Sequence, residues 1–174
     1  MNELVGLQKL IDKVFMLNEE LIQLRGWKYR HQLGSPAAEQ ELAQIESTYS
    51  IQLPRDYRAF LLMHNGWRGF EGQQDLLSTA QMRDAEIKAN LDDIRALAKN
   101  EATSVAGGFV IQACATSPDI LFYDLTGYKQ LGGGPSLVRW EYREIARYDT
   151  FYAYLQETAC TLEEMIADAR SRLR

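Results

Sequence analysis

Two histidines and two cysteines, His31, His64, Cys114 and Cys160, are the nucleophilic and soft metal-ligating side chains of this chain. A zinc site needs close sets such as Cys-x-x-Cys or His-Glu-x-x-His, and these four are scattered. Cys114 ends the apolar run Phe109-Val110-Ile111-Gln112-Ala113-Cys114, where a thiol is desolvated and inert. A Cys114–His64 dyad is open on residue types alone, but a core cysteine explains the position better. His64 lies in the last turn of a short helical pattern, where the helix dipole accounts for it without catalysis. Asp119 and Asp124, five positions apart, suit a carboxylate-only magnesium site less well than two ordinary turn aspartates. Gly132-Gly133-Gly134-Pro135-Ser136 lacks the lysine and the following helix of a phosphate loop, and no Gly-x-Ser-x-Gly elbow occurs. The expectation is a chain with no catalytic set, no cofactor and no metal, and so not an enzyme.

What remains is recognition chemistry. Trp67 and Tyr128 stand beside glycines in expected loops, and such aromatics dominate interface energetics. With Glu71, Asp75 and Asp119 they make the expected partner-facing set.

The elements that must position these residues follow from periodicity. Residues 3–25 carry Leu7, Leu10, Val14, Leu17, Leu21 and Leu24 in threes and fours, widened by Leu4 and Ile11. So wide a stripe favours packing on the parent domain over a coiled-coil seam, which leaves a monomer or a weak homodimer. Ser35-Pro36 offers a cap and a first-turn proline for a helix burying Ala38, Leu42, Ile45 and Tyr49. Pro54 opens the next helix, with Tyr57, Phe60, Leu61 and His64 on one face and Gly66 closing it. Trp67 to Leu77 is expected as a bent strand or edge hairpin. Ser78-Thr79-Ala80-Gln81 resembles a capping box opening a helix to about Asn100, with Ile87, Leu91, Ile94 and Ala98 inward. Runs at 109–114, 120–125 and 137–142 are strands, and the triple glycine is a loop between the last two. Helices at 150–158 and from Thr161, with Glu164 completing a capping box, finish the chain. Helices flanking three to five mostly antiparallel strands make an α+β domain, residues 35–174, with residues 1–25 a helix packed on or extending it.

At 174 residues the chain can form a core without staples. A net charge of −5 argues against nucleic acid as a partner and suits a basic protein. No apolar run approaches a membrane span and no export signal is evident, which with two cysteines points to the cytoplasm.

One stretch also carries a family resemblance. Ile45-Glu46, then Leu53-Pro54-Arg55-Asp56-Tyr57, then an aromatic-aliphatic run ending in Asn65-Gly66, resembles the SMI1/KNR4 family, also called the SUKH superfamily. The match is strongest over about residues 35–72, with echoes at 109–125 and 138–155. The resemblance implies a single α+β domain without a catalytic centre. It further implies a bacterial immunity protein that neutralises a cognate toxin, possibly a nuclease, by occlusion. The alternative is a regulatory or scaffolding interaction protein not linked to a toxin.

Overall fold

The computed structural model describes residues 2–72, 74–98, 103–114, 117–126 and 134–172. Seven strands form one sheet in chain order: β1 (Gln32–Leu33), β2 (Trp67–Glu71), β3 (Gln74–Leu76), β4 (Phe109–Ala113), β5 (Ile120–Tyr123), β6 (Leu137–Trp140) and β7 (Glu144–Tyr148). Every neighbouring pair is antiparallel, so the sheet is a meander interrupted by helical excursions. The α+β expectation holds, with more strands than periodicity revealed. β1 is too short to show a period, and β7 is largely exposed, so neither presents an apolar run.

Among the described residues six helices brace the sheet: α1 (Asn2–Arg25), α2 (Glu39–Tyr49), α3 (Arg55–Met63), α4 (Ala85–Ala98), α5 (Thr103–Gly107) and α6 (Phe151–Arg172). α1 and α6 lie side by side and parallel, because Lys13 Nζ meets Glu163 Oε1 at 2.8 Å and Arg170 meets Glu20 at 2.5 Å. The buried stripe of α1 is Leu7, Ile11, Val14, Asn18 and Leu21, against Tyr154, Leu155, Leu162 and Ile166 of α6. That stripe is rotated from the expected leucine ladder: Leu10, Leu17 and Leu24 are only partly buried, and a polar residue, Asn18, takes a core position.

Local chemistry explains the other departures. α2 begins at Glu39 rather than behind Ser35-Pro36, because Glu41 reaches back to accept the Ala38 N–H at 2.8 Å. Its Tyr49 is on the surface side, where its ring packs on Phe109 and its hydroxyl donates to the Met82 carbonyl. The Ser78–Gln81 box does form, Ser78 N–H donating to Gln81 Oε1 at 2.9 Å, but it starts a 3₁₀ turn at Gln81–Arg83. Asp84 then accepts the Glu86 and Ile87 N–H groups and caps α4 itself. The two expected C-terminal helices are one. Between Thr158 and Thr161 stand Ala159 and Cys160, with no breaker, and Thr158 Oγ1 satisfies itself on the Tyr154 carbonyl at 3.0 Å.

Candidate binding cleft

Two polar regions stand out. The first lies where α3 meets α6. Asp56 accepts the Tyr57 N–H on Oδ1 and the Tyr152 N–H on Oδ2, both at 2.9 Å. It thereby places an anion on the first turn of α6, where N–H groups lack helical partners. Tyr57 beside it is fully buried, its ring 5.2 Å from Phe151 and 5.8 Å from Tyr123. Glu46 accepts the Leu53 N–H at 3.1 Å. Asn65 exchanges two hydrogen bonds with Thr79, at 2.8 and 2.9 Å. α3 itself ends on an extended His64, so Gly66 is needed for another reason. Its φ is +86°, and a Cβ there would fall 2.7 Å from the Ser78 nitrogen and 2.8 Å from the Leu76 oxygen. Leu-Pro-x-Asp-Tyr and Asn-Gly are thus fastenings between segments.

The second region is a cleft of about 400 Å³ between one end of the sheet and the α1–α6 pair. Arg139 of β6 projects one guanidinium nitrogen, Nη2, to Asp119 Oδ2 at 2.9 Å and Glu71 Oε2 at 3.2 Å. Gln74 donates to Asp119 Oδ2 at 2.7 Å, and Gln112 donates to Glu71 Oε2 at 3.2 Å and to Gln74. Tyr154 of α6 donates to Gln112 Oε1 at 2.8 Å. At the lip, Tyr148 of β7 donates to Glu157 Oε1 at 2.9 Å. Trp27 and Tyr29 stack nearby, centroids 5.7 Å apart, and Met165 is partly exposed on the α6 side.

The electrostatics follow from burial. Desolvation pushes the Glu71 carboxyl above its ordinary value, against the pull of Arg139. Burial alone would lower the Arg139 guanidinium, but Glu71 and Asp119 hold it above its usual range. The Tyr148 phenol is pushed up to about 12 by burial and by the Glu157 carboxylate it serves. Asp119 Oδ1 and Asn18 Nδ2 are buried without hydrogen-bond partners among the described residues. Such an arrangement holds charge in fixed places and accepts donors. Among the described residues, no three His, Cys, Asp or Glu side chains converge to hold a metal ion.

The expected site residues separate on this map. Glu71 and Asp119 come together on Arg139. Asp75 instead braces the β2–β3 hairpin, accepting the Gly69 N–H at 2.7 Å and the Gln81 amide at 2.8 Å. Trp67 is a correction: it is 0% exposed, and its indole N–H donates to His31 Nδ1 at 2.9 Å. Its strand alternation overrides the neighbouring glycine, and it has no surface to offer. Tyr128 lies outside the described residues, as do Gly132 and Gly133. Sequence reasoning missed Asn18, Arg139, Tyr148, Tyr154 and Glu157. Two signals were available: one polar residue inside the α1 stripe, and one cation inside the apolar run Leu137-Val138-Arg139-Trp140.

A meandering antiparallel sheet braced by helices, with an ion pair of Arg139 and Glu71 at one cleft, defines an α+β domain built around a single sheet. The chain belongs to the SMI1/KNR4 family (SUKH-1), whose profile matches residues 36–168. α1 precedes the matched stretch yet packs along α6, most of which lies within it. A 37-residue segment is also 46% identical to the uncharacterized protein YnaB of Bacillus subtilis (strain 168). That similarity spans 21% of this chain and 26% of YnaB's own length. No helix among the described residues is long and apolar enough to cross a membrane.

Proposed function

We propose that this chain is an immunity protein that binds a cognate toxin domain and neutralises it by occlusion. Membership of the SMI1/KNR4 family supports a protein partner, and the observation that carries the reading further is the cleft. Glu71 and Glu157 are the carboxylates that line it, its Arg139 guanidinium is already paired with Glu71 and with Asp119 outside the lining, and its rim is Trp27, Tyr29 and Met165. With a net charge of −5, this surface favours a basic partner, as a nuclease toxin would be. Long-range attraction would speed encounter, and burial of the rim aromatics would slow release.

The experiment is co-expression with a toxin domain encoded by a neighbouring gene. The expected result is survival of the cells and a stable complex on purification. Death of the cells together with absence of a complex would overturn the proposal.

A further inference from the structure

We infer that the cleft is a socket for one arginine side chain carried by the partner protein. This deepens the proposal above and rests on its premise that the chain binds a protein.

Three observations converge. The first is Asn18, which sits in the buried stripe of α1 between Val14 and Leu21 and lines the cleft. It is 5% exposed, and its Nδ2 donates to nothing among the described residues. A buried amide left unpaired is destabilising, so a group arriving with an acceptor would complete it. The carbonyl of a peptide bond is such a group. The second is the charge sum: Glu71 and Glu157 line the cleft with one guanidinium, Arg139, and Asp119, outside the lining, pairs with that guanidinium, leaving a balance of −2 if all are ionised. Glu157 Oε1 takes the Tyr148 hydroxyl, while Oε2 has no partner among the described residues. An anion would meet Arg139 already engaged by two carboxylates; a cation meets carboxylates with capacity to spare. The third is the stacked pair of Trp27, 42% exposed, and Tyr29 at the mouth.

Arginine fits these better than lysine does. Its planar guanidinium stacks on aromatic faces and is weakly hydrated, while its fork of donors can bridge a carboxylate. A volume of about 400 Å³ is near the small end of ligand sites, room for one side chain with its own backbone carbonyl.

The test titrates the full chain with Nα-acetyl-L-arginine N-methylamide and follows the Trp27 indole N–H and the Asn18 side-chain amide by NMR. Saturating shifts at both are expected, absent with the uncharged citrulline analogue. Glu157→Gln should weaken the probe about tenfold, the loss of one charge-assisted contact. No saturating shift at either group, equal response to citrulline, or indifference to Glu157→Gln would overturn the inference. The toxin experiment is separable. A chain that seats the probe yet gives no protection retires the toxin and keeps the socket; protection without response to the probe retires the socket alone.

Discussion

The α3–α6 junction and the cleft are both polar, but they use their polar atoms differently. At the junction Asp56 and Glu46 accept backbone N–H groups, and Asn65 both accepts one from Thr79 and donates to its hydroxyl. Such bonds fix where the chain runs. In the cleft Glu71, Gln74, Gln112, Asp119, Arg139 and Tyr154 bond mainly to one another, and atoms are left over. A charged network of that kind costs desolvation and returns little stability. The lesson is that the residues that announce the family hold the fold, while those proposed for recognition are spread over several strands, helices and loops.

The sharpest way to break that contrast is Tyr57→Ala, which empties a fully buried aromatic site among Phe60, Tyr123 and Phe151. It should cost roughly 3–5 kcal/mol in urea denaturation. Tyr57→Phe should be near neutral or stabilising, because the buried hydroxyl makes no hydrogen bond among the described residues. Asp56→Ala comes next, at about 1–2 kcal/mol by the same measurement, since it uncaps α6.

Glu71→Gln should behave in the opposite sense, changing stability by no more than about 1 kcal/mol at neutral pH despite breaking an ion pair. Its pH dependence gives the sign. The folded-state pKa lies above the ordinary 4.5, so the folded state binds this proton more tightly than the unfolded chain does. Glu71's contribution is therefore full below 4.5 and lost as pH rises through its native value. Urea midpoints across that range should show the Gln variant gaining on the parent as pH rises.

His31 gives a smaller effect of reversed sign. Its Nδ1 accepts from Trp67, a donor only, so the ring is neutral with its proton on Nε2, 2.8 Å from Glu19. Burial lowers its pKa against the pull of Glu19. The unfolded chain thus takes up the proton first, and stability should fall as pH drops below 6.5 toward the native value. His31→Gln should flatten that limb of the melting curve. Least of all, Glu157→Gln should alter stability by no more than about 0.5 kcal/mol, because the carboxylate is exposed at the lip.

How far the sequence reveals this molecule follows from the same contrast. The junction is contiguous and capped by residues with strong local preferences, so Pro54, Tyr57 and Phe60 are readable in order. α1 and the three apolar strands are readable for the same reason, whereas the capping signal at Thr161 makes the single α6 look like two helices. β1 and β7 are not, being too short or too exposed to carry a period. Glu71 and Asp119 were legible as acids near turns, but their meeting at Arg139 depends on strand register. Asn18 hides in a leucine-rich helix because the natural reading counts leucines. Trp67 misleads because the flanking glycines look like a loop while the strand turns its ring inward.

The central claim is that recognition resides in the cleft and not at the junction. Isothermal titration of the toxin domain against the parent chain and a Trp27→Ala/Glu157→Gln variant tests it most directly, with melting curves alongside. The account predicts an affinity loss of at least about tenfold with an unchanged melting point. Full affinity in the variant, with the parent binding tightly, would contradict it.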